Sequence, residues 1–173
     1  VQQSFDFQLS TRAESSVVIS GSLTILPSEI RVHWKLGPDL DVCFPFESEV
    51  LAPAARKHKL WERTCFELFV RQGERYTELN LSPLRDWNCY SFTGERVGMT
   101  ESTGLVPLSI HANRAAHGYD LTARLHHNFC GQCHIGVCAV LETATDKHFL
   151  ALHHPGPIPD FHNPDGHVLV VTL

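Results

Sequence analysis

Apolar side chains in this chain recur at every second position, in short runs separated by Gly, Pro, Asn, Asp or Ser, and that period limits the fold more than any other feature. Side chains alternate between opposite faces of an extended strand, whereas an amphipathic helix needs apolar residues three and four apart. Val17, Ile19, Leu23 and Ile25 share one parity, and Ile30, Val32, Trp34 and Leu36 share another. The break Leu26-Pro27-Ser28-Glu29 between them predicts a tight reversal, hence a hairpin, with Trp34 in the core. Gly37-Pro38-Asp39 ends the second run, and a short strand is expected around Val42 to Phe46. Ser48 to Leu60, with Pro53 and the basic Arg56-Lys57-His58-Lys59, reads as a loop or a single helical turn. Further strands are expected from the alternation of Val106, Leu108 and Ile110, and of Tyr119, Leu121, Ala123 and Leu125 after the turn Ala115-Ala116-His117-Gly118. Ile135, Val137, Ala139 and Leu141 predict another, and His148 to Leu152 and Val168 to Leu173 the last two. About ten short strands, with turn signals at intervals of roughly 8 to 12 residues and no sustained helical period, predict an all-β chain folded as an antiparallel β-sandwich.

The 173 residues, 43% of them hydrophobic, suffice for one buried core, so residues 1–173 are expected to form a single domain. The net charge of −5 comes from 19 acidic and 14 basic side chains that are interspersed, without the basic stripe that neutralises phosphates, which argues against nucleic acid as a partner. No apolar run is long enough to cross a bilayer and no signal-peptide pattern opens the chain, so no membrane partner is expected. The chain starts at Val1 rather than methionine, which leaves a lost leader open. Of the six cysteines, Cys43, Cys65, Cys89 and Cys138 sit in strand-like runs as small apolar residues, and no secreted disulfide framework is apparent. Buried free thiols suit a reducing compartment, and a cytoplasmic location is the expectation.

Leu60 to Met99 is the stretch with the most chemistry, holding two of the three tryptophans and a dense set of carboxylates. In its first strand Cys65, Glu67 and Phe69 alternate with Phe66, Leu68 and Val70, which leaves Glu67 as a carboxylate inside an apolar run. In the next, Tyr76, Glu78, Asn80 and Ser82 share a face opposite Thr77, Leu79 and Leu81. Rings and carboxylates gathered on one sheet face suit a ligand surface, because rings supply area and carboxylates fix orientation; the plainer alternative is a solvated sheet face.

The order Trp61-Glu62-x-x-Cys65-Phe66-Glu67-Leu68-Phe69, Tyr76-x-Glu78-Leu79-Asn80-Leu81-Ser82-Pro83 and Trp87-Asn88-x-Tyr90-x-Phe92-x-Gly94-x-x-x-Gly98-Met99 resembles that of bacterial DOMON-like domain proteins, relatives of the family 9 carbohydrate-binding modules. Ala151-Leu152-His153-His154-Pro155-Gly156-Pro157 followed by Pro159-Asp160-Phe161-His162 is similar to their closing motif. The resemblance spans essentially the whole chain and implies an immunoglobulin-like or jelly-roll-like β-sandwich. It implies no single activity, because the wider superfamily includes both sugar binders and haem-binding cytochrome domains.

In the sugar-binding relatives a tryptophan and a glutamate spaced as Trp61 and Glu67 stack on and hydrogen-bond a terminal sugar. The resemblance places Phe161 at the position of a second tryptophan, where phenylalanine offers a smaller face and no indole N–H. The implied ligand set is Trp61, Glu62, Glu67, Tyr76, Glu78, Asn80 and Trp87, with His154, Asp160, Phe161 and His162 from the proline-stiffened closing loop, around a saccharide or other polyhydroxy compound. On that reading the chain is a non-catalytic binding domain without a cofactor. Each residue also has a plain structural reading, Trp61 as packing at a loop-to-strand junction and the closing loop as side chains tied to their own backbone.

Three other chemistries have candidate residues. Met99, the only methionine, with His154 or His162 would be an axial pair for haem b in an electron-transfer domain, although methionine at a strand end usually fills space. Cys130-Gly131-Gln132-Cys133-His134 fits the C-x-x-C-H pattern of c-type haem attachment, but it falls where a turn enters a strand; Cys130 and Cys133 with His126 or His127 also have zinc-ligand chemistry. Glu67 and Glu78 on neighbouring strands could form the acid and base of a glycoside hydrolase if suitably separated.

Overall fold

The computed structural model describes residues 2–12, 17–37, 53–115 and 118–173. The expected strand around Val42 to Phe46, with Cys43, lies outside them, as does the tip of the turn at Ala116 and His117. Twelve strands are present among the described residues: β1 (Gln3–Thr11), β2 (Val18–Ile25), β3 (Glu29–Leu36), β4 (Cys65–Gln72), β5 (Arg75–Leu81), β6 (Trp87–Phe92), β7 (Thr100–Glu101), β8 (Leu105–Ala115), β9 (Gly118–His127), β10 (Gln132–Glu142), β11 (Lys147–Ala151) and β12 (Leu169–Thr172). Two 3-10 turns, Leu60–Glu62 and Pro164–Gly166, complete the regular structure, with no α-helix among the described residues. Accordingly, no helix there is long and apolar enough to cross a membrane.

All strand pairs are antiparallel and belong to one sheet, ordered β7-β6-β5-β4-β10-β11-β1-β2-β3-β9-β8, with β12 also on β10. The seam between β11 and β1 is only two residue pairs long, Ser10 opposite Ala151 and Thr11 opposite Leu150. The sheet curls over at this seam, and its two halves close on one apolar cluster. Leu9, Ile19, Leu23, Val32 and Trp34 enter from one half, and Phe66, Leu68, Leu79 and Val137 from the other. The curled sheet is the expected sandwich, and Trp34 is fully buried in it. The β2–β3 hairpin pairs Ile25 with Ile30 around the predicted reversal, where Leu26 N–H donates to Glu29 O at 2.8 Å. Gly21 faces the Phe7 ring so closely that a Cβ there would stand 2.3 Å from it, so the absent side chain is what admits the ring.

The alternation of Val106, Leu108 and Ile110 falls in β8, as expected, but these three residues do not share a buried face. The β8–β9 register slips between Pro107 and Ser109, leaving Leu108 as the extra residue of a bulge. The slip changes parity, so Leu105 and Ile110 are buried while Leu108 is exposed.

The layout of β10 explains how the closing loop reaches the other face of the sheet. One edge of β10 pairs continuously with β4; the other pairs with β12 at Gln132–Ile135 and with β11 at Cys138–Glu142. Between Ala151 and Leu169 the chain leaves this edge, crosses the outer face and returns, so residues 152–168 lie over the sheet as a strap.

Candidate ligand-binding site

The alternation that buries Phe66, Leu68, Leu79 and Leu81 turns Cys65, Glu67 and Phe69 of β4, and Tyr76, Glu78 and Asn80 of β5, to the outer face. There Phe69, Tyr76, Tyr90, Phe92, Cys138 and Ala151 form a second apolar cluster, with Trp61 and Phe161 packed against it. Above it lies a cavity of about 370 Å³, in the range of small-ligand sites. Trp61, carried on the 3-10 turn that follows Lys59 in its left-handed conformation (φ 62°), stands edge-on to Tyr90 at 5.6 Å. Phe161 tilts against Phe149 of β11 at 6.1 Å. Both rings line the cavity, together with Glu67, Glu78, Phe92, Arg96 and His162.

The floor is acidic and buried. Glu67 is 3% and Glu78 4% exposed. The two are diagonal neighbours, since Glu67 sits opposite Asn80 and Glu78 opposite Phe69. Asn80 Nδ2 donates to Glu78 Oε1 at 2.7 Å, while Glu78 Oε2 is buried with no hydrogen-bond partner. Burial pushes the Glu67 carboxyl well above the usual carboxylate range, and the Glu78 charge adds to it. Burial likewise raises Glu78 to about 7, against the Asn80 hydrogen bond and the Arg96 charge, which favour its ionised form.

A polar chain fixes the strap over this floor. Tyr76 is stacked on Phe92 at 4.5 Å, and its hydroxyl accepts the Arg96 backbone N–H at 3.2 Å. It also shares a hydrogen bond of 2.7 Å with Nδ1 of His162, whose other ring nitrogen is Nε2. That nitrogen stands 3.8 Å from Glu78 Oε2, beyond hydrogen-bond reach. Burial, then the Arg96 charge, lower His162 to about 4, so its ring is neutral at pH 7. At the rim Arg96 Nη2 donates to Asp160 Oδ1 at 2.7 Å, and the His162 backbone N–H donates to the same oxygen at 3.1 Å.

The structure thus brings Trp61, Glu67, Glu78, Phe161 and His162 to the cavity, with Tyr76, Asn80 and Asp160 as the groups that hold them. Three other residues of the expected set lie elsewhere. Glu62 is exposed beside Lys59, and its backbone carbonyl accepts the Lys147 ammonium. Trp87 takes the opposite parity from Asn88, Tyr90 and Phe92, packs on the interior cluster and carries the Arg56 guanidinium 4.5 Å from its ring. His154 donates Nε2–H to Ser10 O at 2.9 Å and does not line the cavity. Met99 is 44% exposed at the cavity edge. In the C-x-x-C-H stretch Cys130 is exposed and Cys133 is buried in the interior cluster, so the two thiols do not share a surface. Among the described residues no group of three or more His, Cys, Asp or Glu is arranged to hold a metal ion.

Phe92, Arg96 and His167 are structural contributors that sequence reasoning passed over. Phe92 was within reach, since it shares the parity of Tyr90. His167 is 2% exposed, stacks on Phe69 at 5.1 Å and donates Nε2–H to Phe161 O at 3.0 Å, anchoring the strap beside the cavity. No period or motif marks it.

No protein family matches the chain by sequence, and no curated protein matches it significantly. Solved structures do resemble it. A provisionally assigned carbohydrate-binding protein from Bacteroides uniformis superposes with a TM-score of 0.64 at 14% identity, over 96% of this chain and 83% of that one. A family 9 carbohydrate-binding module from Caldicellulosiruptor kristjanssonii, in complex with cellotriose, gives 0.50 at 9% identity, over 88% and 74%. The chain has an antiparallel β-sandwich fold similar to these two proteins.

Proposed function

We propose that the outer-face cavity binds a saccharide, that this is the chain's function rather than catalysis, and that the chain is a DOMON-like relative of the family 9 modules. The observation that carries the reading is the juxtaposition of Trp61 and Phe161 with the buried carboxyls of Glu67 and Glu78 around one cavity. Rings take the C–H face of a pyranose, while carboxyl groups direct its hydroxyls. The buried, unpartnered Oε2 of Glu78 is a polar atom set where a ligand donor would satisfy it. Architectural likeness to two proteins described as carbohydrate-binding supports the same reading.

Titration calorimetry against a panel of oligosaccharides tests it, with Trp61→Ala as the control. Trp61 is only partly buried, so the variant is expected to lose binding while its melting temperature falls little. A loss like that of a core tryptophan, about 3 to 5 kcal/mol, would instead assign Trp61 to packing. One arrangement favours a second reading. Two neighbouring carboxyls with burial-shifted ionisation suit acid–base hydrolysis, and sugar release abolished in both Glu67→Gln and Glu78→Gln would replace the binding-only conclusion.

A further inference from the structure

We propose that the saccharide is a cationic amino sugar, an unacetylated 2-amino-2-deoxy unit whose ammonium sits between the Glu67–Glu78 floor and the rings of Trp61 and Phe161. This rests on the saccharide reading and narrows it. Buried carboxylates need a cationic or hydrogen-bonding partner, and among the described residues neither of these is paired with a Lys or Arg. Arg96, the one basic side chain on the cavity apart from the neutral His162, is engaged with Asp160 at 2.7 Å. Glu78 lines a cavity whose walls are aromatic and carries a buried oxygen with no hydrogen-bond partner, and a bound ammonium answers both features at once. It pairs with the carboxylates, and its charge is attracted by the faces of the rings. A neutral hydroxyl in the same place gains neither the ion pair nor the cation–π attraction.

The inference carries a pH signature. The titratable and charged groups facing Glu78 are Cys65 and Glu67 on β4, Tyr76 on its own strand, Tyr90 on β6, Cys138 on β10, Arg96 from the β6–β7 loop and His162 from the strap. Only Arg96 among them is cationic at neutral pH, and burial outweighs both its charge and the Asn80 hydrogen bond, so Glu78 holds its proton up to about 7. An ammonium favours the ionised carboxylate, so amino-sugar affinity falls as pH drops through that value.

Calorimetry compares the β-1,4-linked glucosamine trimer, its triacetylated form and cellotriose at ~pH 7.5 and ~pH 5 in the same salt. The amine trimer is expected to bind about tenfold tighter than the two neutral trimers at the higher pH. The gap should narrow at the lower pH, where the ligand keeps its charge and Glu78 does not. Glu67→Gln and Glu78→Gln, each verified as folded by its melting curve, should narrow it too. Neutral trimers binding as tightly as the amine would overturn this inference and leave the saccharide reading standing. So would a gap unchanged at low pH or in both variants, because the ammonium would then be read elsewhere. Binding of none of the three, in a broad glycan panel that also fails, removes the saccharide reading and this inference with it.

Discussion

At the residue scale, Glu78 is where the sheet's geometry and its stability pull apart. A carboxyl 4% exposed on the covered outer face of the sheet holds its proton longer in the folded chain than in the unfolded one, with its pKa raised from 4.5 to about 7. Its contribution to stability is therefore full below ~pH 4.5 and lost as pH rises through about 7. His162 and His167 act in the opposite sense. Burial lowers both to about 4, so what they contribute is present above the usual histidine value of 6.5 and lost as pH falls toward 4. Comparing wild type with Glu78→Gln cancels the histidines, and glutamine can still accept the Asn80 hydrogen bond. The variant should gain about 1 to 3 kcal/mol over wild type between ~pH 5 and ~pH 8, measured by urea unfolding at each pH. A constant difference across that range would mean that Glu78 ionises in the folded state as easily as in the unfolded one.

At the scale of elements, β8 shows how one unpaired residue overrides a pattern. The apolar residues at 106, 108 and 110 alternate cleanly, yet the bulge at Leu108 leaves that side chain 55% exposed and puts Leu105 and Ile110 inside. Leu105→Ala should cost about 2 to 5 kcal/mol as a core truncation. Leu108→Ser should stay within about 0.5 kcal/mol of wild type. Equal losses in thermal melts would place Leu108 back in the core. The first strand of the site behaves oppositely. Cys65 to Val70 is buried on both faces, so Glu67 stands out in the sequence without its environment being evident there. Hydrophobic runs report that a strand is covered on both sides, not what covers the second one.

At the scale of the whole molecule, the cover is the strap, and its seat is Gly136. A Cβ there would stand 2.5 Å from the His167 ring, which also packs on Phe69 and holds Phe161 O. Gly136→Ala should lower stability by about 1 to 3 kcal/mol and weaken the proposed saccharide binding beyond that, because Phe161 and His162 move with the ring. A melting temperature and saccharide affinity both equal to wild type would show that the strap is seated elsewhere. What the amino-acid sequence determined by itself was the all-β class, the β2–β3 hairpin, the burial of Trp34, and the sharing of one face by Tyr76, Glu78 and Asn80. Each follows from a period of two acting within a few residues, together with the turn chemistry of Pro27 and Ser28. Trp61, Glu67 and the closing motif were legible as candidates through resemblance. Their meeting around one cavity was decided by the crossing of residues 152–168 from β11 to β12. So were the turning of Trp87 to the interior, the neutral state of His162 and the roles of Arg96 and His167. These depend on which distant strands share the edges of β10 and on what water is excluded when they do, and neither quantity is local in sequence.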